Sequence, residues 1–69
     1  MTENVNQDDW ITLEEFQKNP VNDWYWIYYF NSKVEMAYYD NGNFYFNDID
    51  RSPECTYILS EISHVMRIT

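Results

Sequence analysis

VEMAYYDNGNFYF, residues 34 to 46, decides the fold. Asn41-Gly42 lies between two aromatic, β-prone runs, and that dipeptide readily adopts the positive φ angles of a tight hairpin turn. Gly42 is the only glycine in the chain, as expected where backbone geometry demands one. Val34 to Tyr39 therefore reads as one strand and Phe44 to Phe46 as the next. Working back, DWYWIYYF, residues 23 to 30, reads as another. Trp24, Trp26, Tyr28 and Phe30 share one side of it, and Tyr25, Ile27 and Tyr29 share the other. Both sides are apolar or amphipathic, the mark of a central strand. Asn31-Ser32-Lys33 supplies the turn between these two strands.

Toward the N-terminus the period changes. Thr12-Leu13-Glu14-Glu15 fits a capping box, with Thr12 as cap and Glu15 at the third helical position. The two glutamates also suit the positive end of a helix dipole. Pro20 pushes Asn19 out of helical geometry, so the spacing predicts a short helix over Thr12 to Lys18. Trp10 or Ile11 is placed to staple back onto Phe16. Residues 1–9 are polar and acidic and read as a flexible arm. Beyond the hairpin, 47–54 is a polar loop. Thr56 to Leu59 fits either a strand or one helical turn. Ile62 to Ile68 alternates, with Ile62, His64, Met66 and Ile68 opposite Ser63, Val65 and Arg67, and reads as the last strand. The expected fold is α+β: a small antiparallel β-meander of three to five strands with one short N-terminal helix, forming a single domain over residues 10–69.

Sixty-nine residues bury a low fraction of their surface and need extra support. Cys55 is the only cysteine, so no internal disulfide supplies it. Aromatic residues make up 20% of the chain and bury much area each. One unpaired cysteine also points to a reducing, cytosolic setting. The formal net charge is −8. Phosphate contacts need Lys and Arg, so direct binding to nucleic acid or an anionic membrane is disfavoured. No run approaches the roughly 18–20 apolar residues of a membrane helix, and the first ten residues lack the features of a secretory signal.

Catalytic signatures are missing. One Cys and one His, Cys55 and His64, fall short of a zinc site. Glu54 beside Cys55 disfavours a thiolate. Asp48, Asp50, Ser52 and Glu54 alternate like calcium ligands, but the glycine and the closing acid of an EF-hand loop are absent. A chain this short rarely builds the cleft that paired carboxylates require. The expectation is a protein that is not an enzyme, with no cofactor and no metal.

Trp10-Ile11-Thr12, the run Val34-Glu35-Met36-Ala37-Tyr38-Tyr39-Asp40 with Gly42 and Phe44, and Ser63-His64-Val65-Met66 together resemble a small phage and prophage domain family of unknown function. Its members open W-I-S or W-I-T, carry a V-x-x-A-x-Y-x-x-G-x-F hairpin, and close T-H-W-M-P-L-P. The closing Trp and both prolines are absent here. The resemblance covers roughly residues 10–68. It implies a mobile-element origin, a place in the host cytoplasm, and scaffold roles for Trp10, Tyr38, Gly42 and His64. It carries over no catalytic residue.

The resemblance and the charge lead to one functional expectation, an anti-defence or host-takeover protein. It would act as an acidic, DNA-mimic-like inhibitor that covers a basic nucleic-acid-binding surface of a host complex such as a CRISPR effector, restriction enzyme, nuclease or polymerase. Candidate contacts are Asp40, Asp48, Asp50 and Glu54, which flank the hairpin and the loop after it, with Glu35 on an exposed strand face. One short helix covers one sheet face, so Tyr25, Tyr29 and Tyr39 are expected on the uncovered one, where tyrosine favours an interface. The alternative is a self-associating structural or interaction module, a homodimer through the aromatic face, in which the acids serve solubility.

Overall fold

The computed structural model describes residues 10–30 and 32–68. The expected arm at 1–9, Asn31 of the first turn, and Thr69 lie outside the described residues. The chain forms β1 (Ile11–Thr12), α1 (Leu13–Gln17), β2 (Asp23–Tyr29), β3 (Lys33–Asp40), β4 (Asn43–Tyr45) and β5 (Ile62–Arg67). Short 3₁₀ turns at Pro53–Cys55 and Leu59–Glu61 lie between β4 and β5. The strands form one antiparallel sheet in the order β1-β5-β2-β3-β4.

Asp23–Tyr29 of DWYWIYYF is the central strand, paired on both sides, and Phe30, read with it, leaves the strand in a turn at a φ of 55°. The hairpin reading also holds. Asn41 and Gly42 take φ of 49° and 109°, joining Asp40 to Asn43. The meander accounts only for β2, β3 and β4. β5 returns to the far side of β2, and β1 pairs outside it, Ile11 with Val65 and Thr12 with His64. The 56–59 segment is neither a strand nor a helical turn as a whole. Thr56 makes one bridge to Tyr45, and a 3₁₀ turn starts at Leu59.

The helix starts where the cap signal placed it. Thr12 Oγ1 accepts a hydrogen bond from the Glu15 backbone N–H at 3.1 Å, satisfying one of the orphan donors at a helix start. The Glu15 carboxylate reaches forward to Lys18 at 3.2 Å. Phe16 is the one buried helical residue, and it sits edge-on to Tyr25 and Tyr39 with centroids 4.9 Å away in each case. Phe44 closes the group, 4.9 Å from Tyr39 and 5.6 Å from Phe16. Such pairs contribute about 0.5–1.5 kcal/mol each beyond area burial. Ile27, Ala37 and Val65 are fully buried beside them. This is how a chain of this size holds together: aromatic rings fill the space between one helical turn and the sheet.

Two sequence readings are corrected here. The first concerns the sheet faces. Tyr25 and Tyr39 are 5% exposed and lie under the helix, and Tyr29 packs against the core at its edge. Strand pairing gives the reason. Ala37 sits opposite Tyr25, and Val65 opposite Ile27, so this column has room for Phe16. The other column sets Trp24, Trp26 and Tyr28 against Tyr38, Met36 and Val34, with no small residue to receive a helix. Glu35 shares the helix side and is half-buried near Tyr57, whose phenol burial and the Glu35 charge push up in pKa.

The second correction concerns β5. The pairing shifts between Tyr28–His64 and Tyr29–Ile62, so Ser63 is an extra residue, a β-bulge. Ile62 thereby joins Val65 in the core, where simple alternation had put them on opposite faces.

Candidate functional site

Among the described residues, the second sheet face has no layer of secondary structure over it. β2 contributes Trp24, Trp26 and Tyr28; β3 contributes Val34, Met36 and Tyr38; β4 contributes Tyr45; β5 contributes His64 and Met66. None of these is buried, and Val34 and Met36 are each 48% exposed. The rings support one another. Trp24 lies edge-on to Tyr38 at 5.3 Å, Trp10 packs on Tyr28 at 4.4 Å, and Tyr28 meets the His64 ring at 6.2 Å. His64 Nδ1 is 3.1 Å from Ser63 Oγ. A contiguous apolar and aromatic face of this kind is a candidate contact surface.

One corner of the face is built by Arg51. Its guanidinium stacks over Tyr45, with Cζ 4.4 Å from the ring centroid, and approaches Tyr38 at 5.5 Å. Nη2 lies 3.0 Å from Asp40 Oδ2, Nε donates to the same oxygen at 3.1 Å, and Nη1 donates to the Asn47 carbonyl at 3.3 Å. Asp40 Oδ1 accepts from Asn22 Nδ2 at 3.2 Å. The Asp40 charge is therefore spent inside the molecule. Of the acids expected to form a negative edge, Asp40 is an internal clamp and not a free carboxylate.

The following loop folds on its own side chains. Asn47 Oδ1 accepts from the backbone N–H groups of Ile49 and Asp50 at 2.9 and 2.6 Å. Asp50 Oδ1 accepts from the Ser52 N–H at 2.9 Å. That backbone bond, helped by the Ser52 hydroxyl and the Cys55 thiol, holds the Asp50 carboxyl below its ordinary range. Glu54 is lowered as well, by its own backbone N–H and the Ser52 hydroxyl. Asp48, Asp50 and Glu54 are exposed. The loop thus presents three exposed carboxylates, of which Asp50 and Glu54 are held by local hydrogen bonds, and Arg51 ties the loop to the aromatic face. Sequence reasoning gave Asp48, Asp50 and Glu54 as surface groups but missed Arg51, whose sole signal was its position in an otherwise acidic loop.

Cys55 Sγ lies 3.5 Å from Asp50 Oδ2, while His64 belongs to the other end of the sheet order, so no cysteine–histidine pair forms. Among the described residues no three His, Cys, Asp or Glu side chains converge on a metal position. No helix among them is long and apolar enough to cross a membrane. On the helix side, Ile11, Phe16, Asn19, Val21, Tyr25 and Arg67 line an open groove of about 360 Å³. Ile11 and Phe16 share that wall, as a hydrophobic staple would have them do. The Tyr25 hydroxyl donates to the Val21 carbonyl at 2.6 Å.

The chain has no match among family models, curated proteins or solved structures. Its function is argued from the two surfaces just described.

Proposed function

We propose that this protein works by binding rather than by catalysis, anchoring the open aromatic face on a partner protein with a basic, nucleic-acid-gripping surface. The observation that carries the reading is the Trp24–Trp26–Tyr28–Tyr38 face itself, partly exposed, with Arg51 of the acidic loop stacked at its Tyr38–Tyr45 corner. Aromatic side chains supply affinity at the centre of an interface. Charges at the rim set the rate of encounter and the choice of partner. A partner held this way loses access to its nucleic acid by steric exclusion, the anti-defence mode of action.

The loop acids and the face make separable contributions. Trp26→Ser removes an anchor. The triple change Asp48→Asn, Asp50→Asn, Glu54→Gln removes rim charge with little change of shape. Capture of partner from host lysate by wild type, and its loss with Trp26→Ser, supports the anchor. The triple variant should still bind, with slower association and a flatter salt dependence. Binding that survives Trp26→Ser and vanishes in the triple variant would instead make the acids the whole interface.

Face-to-face self-association is the second reading. One observation favours it: among the described residues, the strand positions of the face carry one carboxylate, Asp40, and it is paired with Arg51. A purified wild-type dimer that Trp26→Ser dissociates supports this reading.

A further inference from the structure

We propose that two copies of this chain join edge to edge through β3, extending the five-stranded sheet into one of twice the width. This proposal is independent of what the aromatic face binds.

It begins with an imbalance in the sheet. β3 runs over eight residues, Lys33 to Asp40. β4 pairs with Tyr38, Tyr39 and Asp40 only. In an antiparallel ladder, successive residues point their backbone N–H and C=O alternately to one neighbour and then the other. The tight turn makes Asp40 and Asn43 a hydrogen-bonded pair, so the even-numbered residues of β3 point away from β2. The Tyr57 hydroxyl agrees with this, since it donates to the Met36 carbonyl from the outer side at 3.3 Å. The Val34 N–H and C=O and the Met36 N–H therefore face outward, past the end of β4. Val34 and Met36 are among the exposed large apolar residues. Among the described residues no strand pairs with this stretch, and an unpaired edge is a template for another strand.

The sequence of the edge selects a second copy as the occupant. A two-fold axis through Val34 sets Val34 against Val34 of the other copy. The same register sets Lys33 against Glu35 twice, and Ser32 against Met36 twice. The Val34 pair has both of its outward backbone groups free, while the Ser32 N–H donates to its own Tyr29 carbonyl at 3.4 Å and the Met36 carbonyl accepts from Tyr57, so the register rests on the two hydrogen bonds of the Val34–Val34 pair. Each Lys33–Glu35 pair falls on the helix side of the sheet, where directly opposite residues of unlike charge attract. On the other side the two Val34 side chains cover each other. The edge is thus self-complementary in backbone, charge and apolar contact, as a two-fold interface must be. Net charge of −8 on each copy opposes approach, and physiological salt, with a screening length of about 8 Å, weakens that repulsion.

Sedimentation equilibrium at physiological ionic strength tests this. Wild type should show reversible association to twice 8.5 kDa. Val34→Pro removes the outward N–H at an edge position that tolerates proline, and it should be monomeric with an unchanged circular dichroism spectrum. Lys33→Glu should weaken the dimer about tenfold or more, because both attractive pairs become repulsive. Adding Glu35→Lys to it should restore the dimer. As a readout that needs no variant, the Val34 amide should exchange more slowly as protein concentration rises. A wild-type monomer at all concentrations overturns the proposal, as does a dimer that persists in Val34→Pro. A dimer lost in Trp26→Ser but kept in Lys33→Glu places the contact on the aromatic face and overturns the edge assignment.

Discussion

Arg51→Ala tests whether the 47–54 loop is held against the sheet or merely rests beside it. The wild-type side chain makes three kinds of contact. Its ion pair with Asp40 spans 3.0 Å with both side chains about one-third exposed, and a pair this accessible contributes about 0.2–1 kcal/mol. Stacking on Tyr45 and Tyr38 at 4.4 and 5.5 Å adds about 0.5–1 kcal/mol. The hydrogen bond to the Asn47 carbonyl is long at 3.3 Å and adds least. The expected loss is about 1–2 kcal/mol. In a domain of this length that lowers the melting temperature by about 4–8 °C per kcal/mol. Urea unfolding measures the loss, and the Asp40→Asn double-mutant cycle isolates the ion pair, which should couple by about 0.5–1 kcal/mol. Arg51→Lys keeps the charge but gives up the planar stack and the fork, so it should recover less than half of the loss. A change in unfolding free energy below about 0.3 kcal/mol for Arg51→Ala would refute the clamp, because it would show these contacts to be no better than those of an ordinary surface residue.

Three further outcomes are expected. Gly42→Val should cost at least about 1 kcal/mol in thermal or denaturant unfolding: no atom lies within 4 Å of an added Cβ, so the loss comes from the φ of 109° alone, and an unchanged midpoint would contradict it. Phe44→Ala empties a fully buried site and should cost about 3–5 kcal/mol, as much as a domain this small can hold; a cooperative transition of wild-type midpoint would show that the four-ring group is not the core. The Asp50 carboxyl is held below its ordinary value of 3.8 chiefly by the Ser52 N–H. Its contribution is therefore complete above that value and is lost as pH falls through the lower, folded-state value. The Ser52 amide resonance should titrate with a midpoint below 3.8, and a midpoint at or above it would mean that the turn does not favour the charged carboxylate.

Local signals in the sequence were reliable where one residue type had one physical reason to be present. Gly42 marks the turn, Thr12 caps the helix, and the unbroken apolar and aromatic run from Trp24 to Tyr29 marks the central strand. What could not be read was which side of that strand faces inward, because both sides are aromatic and carry similar burial value. The deciding factor was non-local: Ala37 and Val65 are small or slim neighbours supplied by other strands, and only the paired sheet shows that they create the space Phe16 fills. The bulge at Ser63 was hidden for a related reason. Alternation in Ile62 to Ile68 looks regular, and only the pairing to β2 reveals the extra residue. The return of β5 to pair with β2, which broke the expected meander, leaves no local mark. On the candidate site, composition revealed the acidic loop but not its partners. Asp40 reads as a free carboxylate until Arg51, eleven residues later, is seen folded back onto it.

The claim that matters most is that the open aromatic face is a binding surface. Oxidative footprinting of the full chain, alone and in complex with its captured partner, tests it directly. Trp24, Trp26 and Tyr28 at the centre of the face are partly exposed in the free protein and should lose reactivity on binding. Val21, 60% exposed on the helix side, should react equally in both states. Protection confined to the helix side or to the acidic loop, with Trp24, Trp26 and Tyr28 as reactive as in the free protein, would contradict the account.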